Sequence, residues 1–179
     1  MLEFRYEDGR WEPPFAGDEI ATLLGFLERQ RATFAWKTGG LDSAGLRATH
    51  SPSAMTLGGM LKHLARFEDD MSTEWLHGRA QLPPWDAVDW DIEHDWDWRT
   101  AAEDSPEQLY ARWRDAVERS RALFAEAAMD RDPERRGGER LPTLRYILLN
   151  MIEDYARHNG DADLIRESVD GLVGHDPPL

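Results

Sequence analysis

The sequence predicts an all-α protein built as a four-helix bundle. Three observations carry that expectation. Four segments of roughly 20 residues each repeat apolar side chains at three-to-four spacing. No segment of comparable length alternates apolar and polar residues as a half-buried strand does. One of the four opens on a complete helix-start signal, Ser105-Pro106-Glu107-Gln108, with a Ser cap, a Pro at the first helical position and a Gln placed to reach back. Four amphipathic helices of similar length are the ingredients of a bundle.

The first segment, 18–36, sets Ile20, Leu23, Leu24, Leu27 and Phe34 on one face. The second, 56–76, does the same with Leu57, Met60, Leu64, Phe67, Met71 and Trp75. The third, 106–128, presents Leu109, Trp113, Ala116, Val117, Leu123 and Phe124. The fourth, 142–168, carries Leu144, Leu148, Met151, Tyr155, His158, Ala162 and Ile165 at steps of 4, 3, 4, 3, 4 and 3, with Gly171 as its stop signal. Between them, Thr38–Met55 is a Gly/Ser/Pro-bearing link with a helical turn expected around Ser43–Arg47, and Met129–Leu141 is a charged turn. His77–Asp104 is longer still, so crossover connections are permitted. With no repeat of 20–50 residues and no dividing linker, a single domain over 1–179 is expected.

The longest link contains a Trp-rich arm, 78–104, in which PPWDAVDWDIEHDWDW places Trp85, Trp90, Trp96 and Trp98 among acidic residues. A structureless loop of that length is unusual in a compact domain. The expectation is an arm lying across the bundle, its indoles buried and its carboxylates in water. A lid or a dimer surface is the other reading.

Composition narrows the function. The chain has 179 residues, 35 acids against 21 Lys plus Arg, and a formal charge of −14. That balance argues against a nucleic-acid backbone or an anionic membrane as the main partner. Uncharged apolar stretches such as Ile20–Leu27 and Tyr146–Ile152 fall far short of the ~20 residues a membrane helix needs. The charged start MLEFRYEDGRWEPP shows no secretion signal, so a cytoplasmic location is expected. Without cysteine, disulfides, thiolate metal sites and cysteine nucleophiles are excluded. Arg greatly outnumbers Lys, a compositional hint of a GC-rich genome.

No nucleophile elbow, phosphate loop, dinucleotide fingerprint or zinc-protease motif occurs, and Lys37 and Lys62 have no Schiff-base context. Histidine is the informative residue type. His158 stands on the apolar stripe of the fourth segment, with Asn150, Asp154 and Asp161 at −8, −4 and +3 on the same helical line. His63 borders the stripe of the second segment. Facing helices of a bundle project such groups toward one another, and two imidazoles with a carboxylate suit Zn²⁺, Ni²⁺ or Fe²⁺. The alternative is that each is a hydrogen-bonded core histidine. His50, His77, His94 and His175 fall in loops or at helix ends, where solvated surface is the default. Gly160 beside His158, and Gly58 and Gly59 in the second segment, suggest either a pocket or tight helix packing.

The stretches TLGGMLKHLARFEDD (56–70) and YILLNMIEDYARHNGDADLIRESVDG (146–171), together with the Trp-rich link before the Ser-Pro-Glu helix, resemble the DinB superfamily in its YfiT-like, mycothiol-related branch. The resemblance spans nearly the whole chain. It implies a down-up-up-down four-helix bundle, commonly a homodimer, with a three-histidine divalent-metal site. It also implies thiol-dependent chemistry on a small-molecule substrate, as in mycothiol-dependent maleylpyruvate isomerases and bacillithiol S-transferases. His63 matches the helix-two ligand and His158 the first ligand of the last helix. The third family histidine falls at Asp161, a shorter and harder donor than imidazole, and Asp154 is the substitute ligand or orienting partner.

The reading that follows is a Zn²⁺-, Ni²⁺- or Fe²⁺-dependent enzyme held by His63, His158 and Asp161. It would be a mycothiol-dependent S-transferase or isomerase in which the metal makes a thiolate from the cosubstrate. Arg66 and Arg157 lie close enough in sequence to the ligands to meet such a cosubstrate. A degenerate, non-catalytic binding or stress-response module, or a metal-dependent hydrolase using the same ligands, stands as the alternative.

Overall fold

Helix starts in this chain are built from side-chain oxygens that accept the first backbone N–H groups. In the computed structural model Asp18 accepts from the Ala21 N–H at 2.8 Å, and Thr56 from the Gly59 N–H at 2.9 Å. At Ser105 the cap is reciprocal: the Gln108 N–H donates to Ser105 Oγ at 3.3 Å and the Ser105 N–H to Gln108 Oε1 at 2.8 Å. The structure describes residues 12–127, 129, 135–136 and 139–174. The start MLEFRYEDGRW, the end of the third predicted helix at 128, much of the charged turn 129–141 and His175 lie outside the described residues.

The fold is all-α. Its long helices are α1 (Glu19–Thr38), α3 (Leu57–Asp69), α5 (Pro106–Ala125) and α6 (Leu144–Asp170), each within three residues of its predicted bounds except α3, which ends seven residues before the predicted 76. The short helix α2 (Ser43–Arg47) occupies the link where a turn was expected, and α4 (Trp96–Thr100) lies in the Trp-rich arm. A two-residue antiparallel pair, β1 (Arg135–Arg136) with β2 (Glu139–Arg140), joins α5 to α6. Among the described residues no helix is long and apolar enough to cross a membrane.

A π-helical turn, Asp70–Trp75, prolongs α3. The Ser72 hydroxyl donates to the Glu68 carbonyl at 2.7 Å and the Thr73 hydroxyl to the Asp69 carbonyl at 2.5 Å, so side chains compete for the carbonyls where the regular ladder loosens. A π turn takes up an extra residue and rotates everything beyond it. This corrects the predicted stripe: Trp75 is swung out to 43% exposure, and Leu76, 8% exposed, takes its place.

The chain forms two compact units. One comprises residues 1–40 and 148–179, and so pairs α1 with α6 from Leu148 onward. Here Phe34 meets Tyr155 edge-on at 6.0 Å, and the Asn159 amide donates to the Gln30 carbonyl at 3.1 Å and its Oε1 at 2.7 Å. The Arg166 guanidinium donates to the carbonyls of Lys37 and Gly39 at 3.0 and 2.7 Å, satisfying the C-terminal end of α1. The other unit is residues 41–147. Its core is α3 against α5, with Leu57, Met60, Leu61 and Leu64 buried together with Leu109, Trp113, Ala116 and Val117.

The glycines separate cleanly. A Cβ on Gly59 would lie 2.7 Å from Trp98 Cε3, so this residue admits the indole to the first turn of α3. A Cβ on Gly160 would meet nothing within 4 Å, so tight packing does not account for it. Gly160→Ala is therefore expected to raise stability by roughly 1 kcal/mol, whereas Gly59→Ala lowers it by displacing Trp98. Urea melts of the two variants, with opposite shifts in midpoint, check this.

Candidate metal centre

The four tryptophans of the arm dock on one face of α3 and its neighbours. Trp85 is fully buried; it meets Trp96 edge-on at 6.2 Å, and Trp96 meets Trp90 at 6.3 Å. Cations reach the rings from the helices: Lys62 Nζ lies 4.5 Å from the Trp96 centroid and Arg66 Cζ 4.1 Å from that of Trp90. The expectation of buried indoles fits best at Trp85, and the others are half-buried. The expectation of solvated carboxylates holds for Asp86, Asp89, Asp91 and Asp95, and needs correcting at Asp97. That carboxylate is 1% exposed. A charge there requires donors, and α3 supplies them.

His63 Nδ1 lies 3.0 Å from Asp97 Oδ2, and Arg66 Nε 3.4 Å from the same oxygen; the Trp98 N–H donates to Asp97 Oδ1 at 3.0 Å. Burial pushes the Asp97 pKa up, but the hydrogen bond with His63, the Arg66 charge and the Trp98 N–H outweigh it and hold the carboxyl below its ordinary value. The His63 ring is stacked with Trp98, 4.9 Å away at 26°, and with Phe67, 6.3 Å away at 15°. Its side chain keeps 16% exposure.

On α6, six of the seven predicted stripe residues are buried, and His158 is the half-buried seventh. Carboxylates of its own helix flank both ring nitrogens. Asp154 Oδ2 is 3.7 Å from Nε2, and Asp161 Oδ2 is 3.9 Å from Nδ1. Because the two nitrogens point away from each other, an ion on one of them has one Asp as neighbour while the other Asp orients the ring. Asp154 is the more sheltered of the two.

His63 thus belongs to the unit 41–147, and Asp154, His158 and Asp161 to the other. Of the arginines expected near the site, Arg66 is committed to Asp97 and Asp70, and Arg157 is exposed beside Glu153 on the outer face of α6. Lys62 and Lys37 are buried in ion pairs with Asp104 (2.6 Å) and Asp163 (2.8 Å). The residue that sequence reasoning missed is Asp97, and nothing in the Asp/Trp repeat singles it out from the acids that stay exposed.

A family model described as mycothiol-S-transferase matches residues 22–171, from α1 to the end of α6. The chain belongs to the mycothiol-S-transferase family. This agrees with the DinB-like resemblance of the α3 and α6 motifs, and the match takes in both units and the whole Trp-rich arm. No curated protein matches the chain.

One turn beyond Arg66, Asp70 carries a pKa pushed up to about 6: burial raises it, with help from Glu74 and Asp69, against the opposing pull of Arg66 and a hydrogen bond from Gln81. A carboxyl raised in the folded state favours folding only while protonated, so its contribution is lost as pH climbs from about 4 through about 6. Asp70→Asn should therefore stabilise the protein by on the order of 3 kcal/mol above that window and by little below it. Denaturant melts from pH 5 to 8, wild type against variant, check whether the difference widens with pH.

Proposed function

We propose, from the family match and the resemblance of the α3 and α6 motifs, that this chain is a divalent-metal-dependent mycothiol S-transferase with His63, His158 and Asp154 as its ligands. The observation that carries the reading is the His63 ring: half-buried, stacked with Trp98 and Phe67, and held at Nδ1 by a buried carboxylate, in a chain of this family. The donors fit the group. Two neutral imidazoles and one carboxylate supply three ligand atoms of the type that Zn²⁺ and Ni²⁺ accept, and Fe²⁺ takes the same set. Asp154 replaces Asp161 as the favoured carboxylate because it is the more sheltered and lies on the Nε2 edge of His158.

When bound, a divalent ion with an open position lowers the pKa of a coordinated thiol and so favours the thiolate. The chain's own residues do the rest. His63 and His158 present ring nitrogens without adding charge, and Asp154 offsets part of the ion's positive charge. Asp161 places a second carboxylate 3.9 Å from the Nδ1 edge of His158, where its charge favours a proton on that nitrogen. Because the protein has no cysteine, the sulfur must come from the cosubstrate, and it attacks an electrophilic small molecule as the leaving group departs.

Metal-free protein reloaded with Zn²⁺, Ni²⁺ or Fe²⁺ and given mycothiol plus monochlorobimane is expected to form the conjugate. It should do so only when metal, mycothiol and His63 are all present, with His63→Ala at the blank rate. By calorimetry, Asp154→Ala should lose measurable metal binding, and Asp161→Ala should weaken it by about tenfold. The reverse ranking would put the ion on the Nδ1 edge of His158. Thiol loss equal to the no-protein blank for every metal would overturn the transferase reading in favour of a binding module.

A further inference from the structure

The Trp-rich arm has no place in the ligand set, yet its short helix α4 delivers two side chains to His63. An ionised carboxylate can only accept hydrogen bonds. With Asp97 Oδ2 3.0 Å from Nδ1, the ring proton therefore sits on Nδ1 and the lone pair on Nε2. Asp97 is itself pinned, by the Trp98 N–H at 3.0 Å and by the Arg66 guanidinium at 3.4 Å. Arg66 in turn is held over the Trp90 ring at 4.1 Å, and Asp70 lies 3.8 Å from its Nε. The Trp98 indole, next in sequence to Asp97, stacks with the imidazole at 4.9 Å, and Phe67 of α3 lies 6.3 Å from it. The arm thus supplies both the carboxylate at Nδ1 and an aromatic neighbour of the ring.

We infer that Asp97 is a positioning residue for metal binding, fixing His63 in the tautomer whose Nε2 ligates, and that docking of α4 on α3 is a condition for the site to form. The inference rests on the metal reading above for its ligand. It differs from a purely structural role for the His63–Asp97 pair, in which Asp97 only anchors the arm. A structural anchor affects melting; a positioning carboxylate also sets the ring's proton and the strength of the ligand, since partners of this kind change metal affinity by about 10–100-fold.

The test uses the full chain. Nitrogen-15 NMR of the metal-free wild type, at a pH where the ring is neutral, is expected to show His63 as the Nδ1–H tautomer. Zn²⁺ calorimetry is expected to give about tenfold weaker binding for Asp97→Asn, which keeps an acceptor but loses the charge. Asp97→Ala should approach 100-fold, with a mixed tautomer. Thermal melts accompany both variants, and the wild-type spectrum and the isosteric Asn variant remain decisive if Asp97→Ala does not fold. An Nε2–H tautomer in the wild type, or variants that fold and bind Zn²⁺ as the wild type does, would overturn the inference while leaving the metal reading standing. A wild type that binds none of Zn²⁺, Ni²⁺ and Fe²⁺ would overturn the metal reading, and this inference with it.

Discussion

Taking a carboxylate out of water costs several kcal/mol unless N–H groups and a positive charge surround it, and the way Asp97 is accommodated organises the unit 41–147. One oxygen takes the Trp98 N–H; the other faces His63 and Arg66. Those two residues sit one turn apart on α3, with Lys62 beside them, so a single helical face offers three nitrogen-bearing side chains. The arm answers in kind, with Trp96 under Lys62, Trp90 under Arg66 and Trp98 against His63. Indole faces attract cations, and Lys62 and Arg66 each combine an indole with a carboxylate ion pair. Lys62 also reaches Asp104 just before α5, which fastens the far end of the arm.

A second buried carboxylate repeats the solution a turn further along. Asp69 accepts two bonds from Arg119 of α5, at 2.9 and 3.0 Å, and a third from the Trp85 indole N–H at 2.9 Å. Glu68 beside it accepts from the Ser120 hydroxyl at 2.6 Å. The C-terminal half of α3 is therefore tied to both α5 and the arm by polar bonds that only one register satisfies. Removing one partner of such a set leaves a buried charge uncompensated, which is why these contacts specify a unique arrangement more than they add net stability. Among the described residues the buried acids are Glu28, Glu68, Asp69 and Asp97, and each meets a cation, an N–H group or a hydroxyl.

His158 is treated differently. Its carboxylate neighbours come from its own helix, at i−4 and i+3, so the local environment of this ring is a consequence of α6 being helical at all. His63 meets its carboxylate across a longer span: Asp97 stands 34 positions away, while Phe67 of α3 itself lies 6.3 Å from the ring at 15°.

The difference follows from the range of the physics involved. Helical periodicity, caps and i,i+4 neighbours operate within a few residues. The four long helices, the Ser105–Gln108 capping box, the buried stripe of α6 and the Asp154–His158–Asp161 line were accordingly legible in the order of the residues. The π turn was not. It arises where Ser72 and Thr73 hydroxyls find carbonyls of the preceding turn, and it moves Leu76 onto the core in place of Trp75. Gly59 read as a choice between pocket and packing until the Trp98 ring was seen against it. Asp97 looked like one solvated acid among several, because a repeat of Asp and Trp does not say which carboxylate will be carried inward. The sequence by itself determined the helices, their apolar faces and the residue types able to hold a metal. Only the tertiary structure decided which acid is buried and which nitrogen of His63 carries the proton, because those depend on desolvation by segments distant in sequence, and no local spacing reports it.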